Sequence, residues 1–223
     1  MNRYISIAID GPAASGKSSV GLKVANRLGY LYLDTGVMYR AVTWAALDKG
    51  IDIFDESKVS KLALILKIRI DQPSKDDGRV NDIYVDDIDV TWKVKEQRVN
   101  ENVSQVSKYP EVRNSLTLQQ QNIALKGNIV MVGRDIGTVV LANAKRKFFL
   151  NASEEERARR RYEEEKVRGG NPNYKEILDN VKKRDKIDST RDLAPLVPAN
   201  DAVIIDTNNK NIDQVVEEIL LKI

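Results

Sequence analysis

Gly11-Pro12-Ala13-Ala14-Ser15-Gly16-Lys17-Ser18 is the stretch from which the fold follows. It satisfies G-x-x-x-x-G-K-[ST] at every fixed position, and it stands in the context that pattern requires. Ahead of it, Tyr4-Ile5-Ser6-Ile7-Ala8-Ile9 is an apolar, β-branched run of strand length. Behind it, Val20, Val24 and Leu28 recur on one helical stripe. Strand, glycine loop and helix in that order make a phosphate cradle: backbone N–H groups turn inward around anionic oxygens and the positive end of the helix adds to the attraction. Gly11 through Ser19 would line a nucleoside triphosphate, Lys17 would reach its β- and γ-phosphates, and the Ser18 hydroxyl would hold Mg²⁺.

Working outward, five apolar runs alternate with helical stretches: Tyr4–Ile9, Tyr30–Leu33, Ile129–Val132, Lys147–Leu150 and Ala202–Ile205. The helices expected are Lys17–Leu28, Met38–Lys49, Pro110–Leu125, Ser153–Lys166, Tyr174–Ile187 and Ile212–Leu221. Alternation of this kind predicts an α/β fold with a mostly parallel sheet covered on both faces. Residues 68–92 break the pattern, because Ile68–Asp71, Arg79–Val85 and Ile88–Trp92 alternate apolar with polar between turns at Pro73–Gly78 and Asp86-Asp87. They read as a small antiparallel insertion.

Composition narrows the chemistry. The 223 residues contain no cysteine and no histidine, which excludes disulfides, thiolate nucleophiles, imidazole bases and the usual zinc sites. With 36 Lys and Arg against 33 Asp and Glu, the net charge is +3, a mild excess suited to a small polyanionic ligand and too weak to argue for nucleic acid. No apolar run approaches the ~20 residues of a membrane span, so a cytoplasmic protein without a membrane partner is expected.

Ligands of parallel sheets gather at the carboxyl ends of strands, here Asp10 to Lys17, Asp34-Thr35-Gly36 and Gly133-Arg134-Asp135. Arg40, one helical turn beyond Gly36, is placed to clamp a phosphate or to sit as a surface arginine. Arg134 offers a bidentate fork, and Asp135 would accept from a substrate or orient metal-bound water. Alternatively the two close the turn as an internal pair. Ser153 starts a charged helix in which Arg157 and Arg161 share a face, and Glu156–Arg160, Arg159–Glu163 and Arg161–Glu165 are spaced as i, i+4 ion pairs. A second helix sets Ile177, Val181, Arg184 and Asp188 on one stripe, with Arg191 on the same spacing. Several arginines around a phosphate chain, and the Gly169-Gly170 break between the helices, suit a lid closing during phosphoryl transfer. A guanine-recognition signal is missing, since Asn209-Lys210-Asn211-Ile212 fails Asn-Lys-x-Asp at its last position.

Seven stretches together, IAIDGPAASGKSS, YLDTGVMYRA, NVSQVSKYPEVR, VMVGRDIGTVV, FFLNASEEERARRR, KRDKIDSTR and APLVPANDAVIIDT, resemble the bacterial cytidylate kinases of the nucleoside-monophosphate kinase superfamily. The resemblance covers nearly the whole chain. It implies transfer of the γ-phosphoryl of ATP to CMP or dCMP with Mg²⁺, on a three-layer P-loop kinase fold with a five-stranded parallel sheet. It further implies one kinase domain over 1–223, a monophosphate-binding lobe at 37–112 carrying the small β-sheet, and a lid at 153–172. Carried over by position, Arg40, Arg134 and Arg191 would hold the acceptor phosphate, Ser104, Arg113 and Asp135 the cytosine, and Arg184 and Asp188 the sugar, with Thr35 keeping a hydroxyl where relatives also use serine. Lys17, Arg134, Arg157, Arg161 and Arg184 would stabilise the transferring group. The only partners expected are the two nucleotides, acting on a monomer. Ser104 and Arg113 carry no signal of their own, reading as a loop serine and an exposed helical arginine.

Overall fold

The computed structural model describes residues 4–167, 169–191 and 193–223. In chain order its elements are β1 (Ser6–Asp10), α1 (Lys17–Leu28), β2 (Leu31–Asp34), α2 (Gly36–Asp48), α3 (Glu56–Ile65), β3 (Ile68–Asp71), β4 (Asp82–Val85), β5 (Ile88–Asp89), α4 (Gln97–Val106), α5 (Pro110–Ala124), β6 (Ile129–Gly133), β7 (Arg146–Asn151), α6 (Glu154–Val167), α7 (Tyr174–Thr190), β8 (Val203–Asp206) and α8 (Ile212–Leu220). A five-stranded parallel sheet runs β2-β6-β1-β7-β8, and a three-stranded antiparallel sheet runs β3-β4-β5. The chain divides into two compact units: Tyr30–Ile129 with Tyr4, and Ile5–Gly29 with Val130–Ile223.

In the second unit, β1 pairs with β7 in parallel, Ile7 opposite Arg146 and Asp10 opposite Phe149, and β7 pairs with β8 from Phe148 opposite Val203 onward. Ile7, Ile9, Met131, Phe148, Leu150 and Ile205 are all fully buried, which explains why these strands read as near-continuous apolar runs. Each such side chain contributes about 1.5–3 kcal/mol of burial free energy. Helix α1 ends at Gly29, whose φ of 66° takes the left-handed cap. Helix α8 opens on a reciprocal capping box between Asn211 and Gln214. Ala158 of α6 packs with Ile177 and Val181 of α7, so the root of the arginine-bearing helix is anchored in a core cluster.

In the first unit, Ile68 faces Val85 and Ile70 faces Ile83 across β3 and β4. The β4–β5 hairpin closes through Asp86 and Asp87, at φ 47° and 66°, the paired left-handed conformation of a two-residue turn. The expected strand from Arg79 begins only at Asp82, because the Arg79 side chain turns inward: its guanidinium meets Asp77 at 2.8 Å, Asp82 at 2.7 Å and Asp89 at 3.3 Å. That guanidinium holds the Asp77 carboxyl well below the usual carboxylate range. Trp92 donates its indole N–H to Asp77 at 3.2 Å, whereas Trp44 is buried in α2 beneath the Lys93 ammonium.

Helices α3 and α4 were not expected. Asp55 caps α3 by accepting from the Lys58 N–H, and Val59, Leu62 and Ala63 bury one face. In α4 the apolar residues are the three valines Val99, Val103 and Val106, of which Val99 and Val106 are buried and Val103 half-buried; the rest of the helix is polar.

Candidate active site

The loop after β1 is built from unusual backbone angles. Gly11, Ala14 and Gly16 take φ of 155°, 58° and 89°. A Cβ on Gly11 would lie 2.3 Å from the Leu150 carbonyl oxygen, so no side chain fits there. Ser15 is fully buried, and its Oγ has no hydrogen-bond partner among the described residues. Lys17, also buried, folds back to donate to the Pro12 carbonyl at 2.9 Å, while Ser18 and Ser19 are exposed at the first turn of α1.

The arginines of α6 reach this loop in different ways. Ser153 accepts the Glu156 N–H at 3.2 Å and caps the helix as expected. Arg157 is almost wholly buried: Nε donates to the Ala152 carbonyl at 3.0 Å, and Nη1 to the Ala13 carbonyl of the loop at 3.2 Å. The same guanidinium forms a two-pronged pair with Asp185 of α7, Nη1 at 2.9 Å from Oδ1 and Nη2 on Oδ2. Arg160 pairs with Glu156 at 2.9 Å and donates to both oxygens of Thr207 just past β8. The Thr207 hydroxyl lies 3.2 Å from the Ser15 carbonyl and thereby ties that strand end to the loop. Arg161 is half-exposed, borders the cavity beside the loop, and pairs with Glu165 at 3.1 Å, as its spacing predicts. Arg159, expected on Glu163, instead pairs with Glu156 at 2.8 Å. Arg157 and Arg161 therefore share spacing but not environment. Beside the loop lies an open cavity of about 1080 Å³, bordered by Gly16, Ser19, Arg160, Thr207, Asn211 and Ile212.

Arg134 and Asp135 follow β6 at the carboxyl edge of the sheet. Arg134 Nε is ion-paired with Asp188 of α7, joining two residues the sequence had placed on the acceptor. Arg184, one turn earlier on α7, is exposed, and Arg191 donates from Nε to the Ala194 carbonyl at 2.6 Å. Asp135 is buried, and its carbonyl accepts from Val139 at 2.9 Å and Val140 at 3.1 Å as the chain enters a π-helical turn over Ile136–Val140. The Asp10 carboxylate, at the end of β1, accepts from Ile136 N–H at 2.8 Å and Gly137 N–H at 2.7 Å. Desolvation pushes the Asp10 carboxyl up to about 6 despite these two bonds, with Asp135 adding to the rise and Lys17 opposing it.

The first unit holds the other candidates. Thr35 is buried at the start of α2, where the Asp34 carboxylate accepts the Gly36 N–H at 3.0 Å. Arg40 hydrogen-bonds the Asn100 side-chain oxygen of α4. Ser104 stands one turn beyond Asn100 on the same helix, and so is a helical residue rather than a loop serine. Arg113 is 6 % exposed in the first turn of α5, not a surface arginine; it donates to the Ser107 carbonyl at 3.2 Å and lies 5.5 Å from the Tyr39 ring centre. Sequence reasoning gave no individual role to Asp10, Asn100, Asp185 or Thr207, although Asp10 opens one of the strand-end stretches it singled out. Asp10 and Thr207 stand at strand ends, where that rule alone points to them. Asn100 and Asp185 pair over long sequence distances and leave no local signal.

The sequence model of the cytidylate kinase family matches residues 7–223. The chain belongs to the cytidylate kinase family. A cytidylate kinase of Bacillus licheniformis is 47% identical over 99% of this chain and 96% of its own length, and one of Bacillus subtilis strain 168 is 44% identical over the same shares. An uncharacterized protein from Eubacterium ventriosum, solved by crystallography, superimposes with a TM-score of 0.52 at 15% identity, covering 99% of this chain and 98% of that one, a likeness of fold alone. Among the described residues of this cytidylate kinase family member, no helix is long and apolar enough to cross a membrane.

A divalent cation fits the donor set in one way. Among the described residues no cluster of three or more Asp or Glu is placed to cage a metal. The exposed Ser18 hydroxyl at the lip of the loop would supply one oxygen and the nucleotide phosphates the others, an arrangement suited to Mg²⁺.

Proposed function

We propose that this protein transfers the γ-phosphoryl group of ATP to CMP or dCMP, giving ADP and CDP or dCDP. The observation that carries the reading is likeness to cytidylate kinases along essentially the whole chain, combined with an intact phosphate loop. Residues Gly11 to Ser19 take the triphosphate, and the cavity bordered by Arg160, Thr207 and Asn211 takes the donor nucleoside. Ser18 and the nucleotide phosphates would hold Mg²⁺, which when bound would supply charge neutralisation. Lys17 leaves the Pro12 carbonyl for the β- and γ-phosphates, exchanging one oxygen acceptor for a better one.

The acceptor is held in the second unit by Arg134, Arg184, Asp188 and Arg191, with Asp135 reading the cytosine. Thr35, Arg40, Ser104 and Arg113 of the first unit are assigned to the acceptor phosphate and base on the family resemblance. An acceptor phosphate oxygen attacks the γ-phosphorus in line while the bond to the β–γ bridging oxygen breaks, and ADP carries away the electron pair. No strong base is needed, since that oxygen is already anionic near neutrality. Rate acceleration comes from alignment and from fixed positive charge on Lys17, Arg134, Arg161 and Arg184. Arg157 serves by holding the loop through the Ala13 carbonyl, because its donors are engaged there and on Asp185.

Initial-rate ADP formation from ATP and Mg²⁺ with CMP, dCMP, UMP, AMP, GMP or no acceptor tests this. Turnover is expected with CMP and dCMP and should fall by about 100-fold or more in Lys17→Ala. Preference for another monophosphate would overturn the cytosine assignments while keeping the chemistry, and acceptor-independent hydrolysis would overturn the kinase reading.

A further inference from the structure

The π-helical turn after β6 is a rare piece of backbone of a kind that concentrates at functional sites, and it stands directly after Arg134 and Asp135. Its bonds span five residues, Val140 N–H to the Asp135 carbonyl at 3.1 Å and Leu141 N–H to the Ile136 carbonyl at 2.6 Å. A turn that opens in this way leaves its first N–H groups without partners inside the turn. Those groups, on Ile136 and Gly137, both point at one carboxylate, that of Asp10. Asp10 is 4 % exposed at the end of a strand whose preceding three residues are fully buried and apolar.

The approach is close. A Cβ on Gly137 would stand 3.2 Å from Asp10 Oδ2 and 3.3 Å from the Lys147 side chain, so only glycine lets the carboxylate reach both N–H groups without displacement. Lys147 of β7 secures the far end of the same segment, donating to the Ala142 carbonyl at 2.6 Å and to Asp201 at 2.9 Å. Arg134 and Asp135 immediately precede this clamped turn, and their side chains leave the backbone where the clamp begins. Charged groups facing Asp10 are Lys17 from α1 and Asp135 from the turn itself.

We propose that Asp10 is a positioning residue for acceptor recognition: its carboxylate fixes the turn at Ile136-Gly137 and thereby aims Arg134 and Asp135 at the monophosphate. The inference rests on the reading of those two residues as acceptor-binding. Asparagine at position 10 keeps the shape but offers one acceptor and turns an N–H₂ group against the second N–H, which loosens the turn.

The experiment compares Asp10→Asn, Asp135→Asn and the double variant with the wild type, using KM and kcat for CMP and for ATP together with amide exchange at Ile136 and Gly137. In Asp10→Asn the CMP KM should rise about 10- to 100-fold, the ATP KM should stay within about twofold, and the two amides should exchange faster. On the Asp135→Asn background the Asp10 substitution should add little, because both act through one contact. An unchanged CMP KM with faster exchange, a rise confined to the ATP KM, or fully additive effects would overturn the positioning role. A wild-type CMP KM in Asp135→Asn alone would instead sink the acceptor reading. Should Asp10→Asn fail to fold, Gly137→Ala strains the same clamp from the other side and is judged by the same outcomes.

Discussion

Asp10 is a carboxylate whose surroundings oppose its charge. Its ordinary value of 3.8 is pushed up to about 6 by burial, so the folded protein keeps a proton through a range in which the unfolded chain has released it. The sign of the linkage follows: this group's contribution is greatest below about pH 4 and is lost as pH rises through 6, a fall of about 3 kcal/mol for the two-unit difference. Asp10→Asn carries no such titration. Urea unfolding at about pH 4 and about pH 7 should therefore show the variant gaining on the wild type by about that amount towards neutrality. A gap independent of pH would mean that the two backbone N–H bonds, and not desolvation, govern the carboxyl. A charge kept at the cost of stability is usual at functional positions and unusual elsewhere. At this scale the sequence was readable only in part. The loop residues and Lys17 announce themselves by pattern, whereas the burial of Arg113 and the pairing of Arg157 with Asp185 are decided by distant segments and leave no spacing to detect.

Among the elements, those with strong periodicity matched expectation: α1 runs Lys17–Leu28 as predicted, and the five strands of the main sheet fall within about two residues of theirs. The two missed helices have physical reasons. Helix α4 carries only a narrow stripe of three valines, Val99, Val103 and Val106, on an otherwise polar segment, and α3 is a short helix whose start depends on the Asp55 cap. The small sheet was legible from its alternation, although the inward turn of Arg79 shortened its middle strand. Its tightest point is the Asp86-Asp87 turn, where two residues with side chains hold left-handed φ. That conformation costs a non-glycine residue about 1–2 kcal/mol, and glycine's own entropy returns part of the gain. Asp87→Gly should accordingly stabilise the protein by about 0.5 kcal/mol, seen as a higher urea midpoint with unchanged slope. A lower midpoint would show that the side chain does more than its exposed position indicates.

For the whole molecule, fold class and family were legible because phosphate loop, strand ends and arginine helices are each local patterns laid down in a fixed order. The bounds of the two compact units, Tyr30–Ile129 on one side and Ile5–Gly29 with Val130–Ile223 on the other, arise from contacts among residues far apart in the chain and leave no local pattern. One consequence concerns light. The chain has two tryptophans, and both Trp44, buried in α2, and Trp92, bonded to Asp77, belong to the first unit, while the phosphate loop belongs to the second. Indole emission under tryptophan-selective excitation is therefore the optical signature of one unit, whereas far-ultraviolet dichroism sums the helices of both. Superimposed thermal curves from the two signals would mark a single cooperative transition, and displaced curves would mark units that melt apart. The phosphate loop has no indole in its own unit, so tryptophan emission reports on the unit that does not carry that loop.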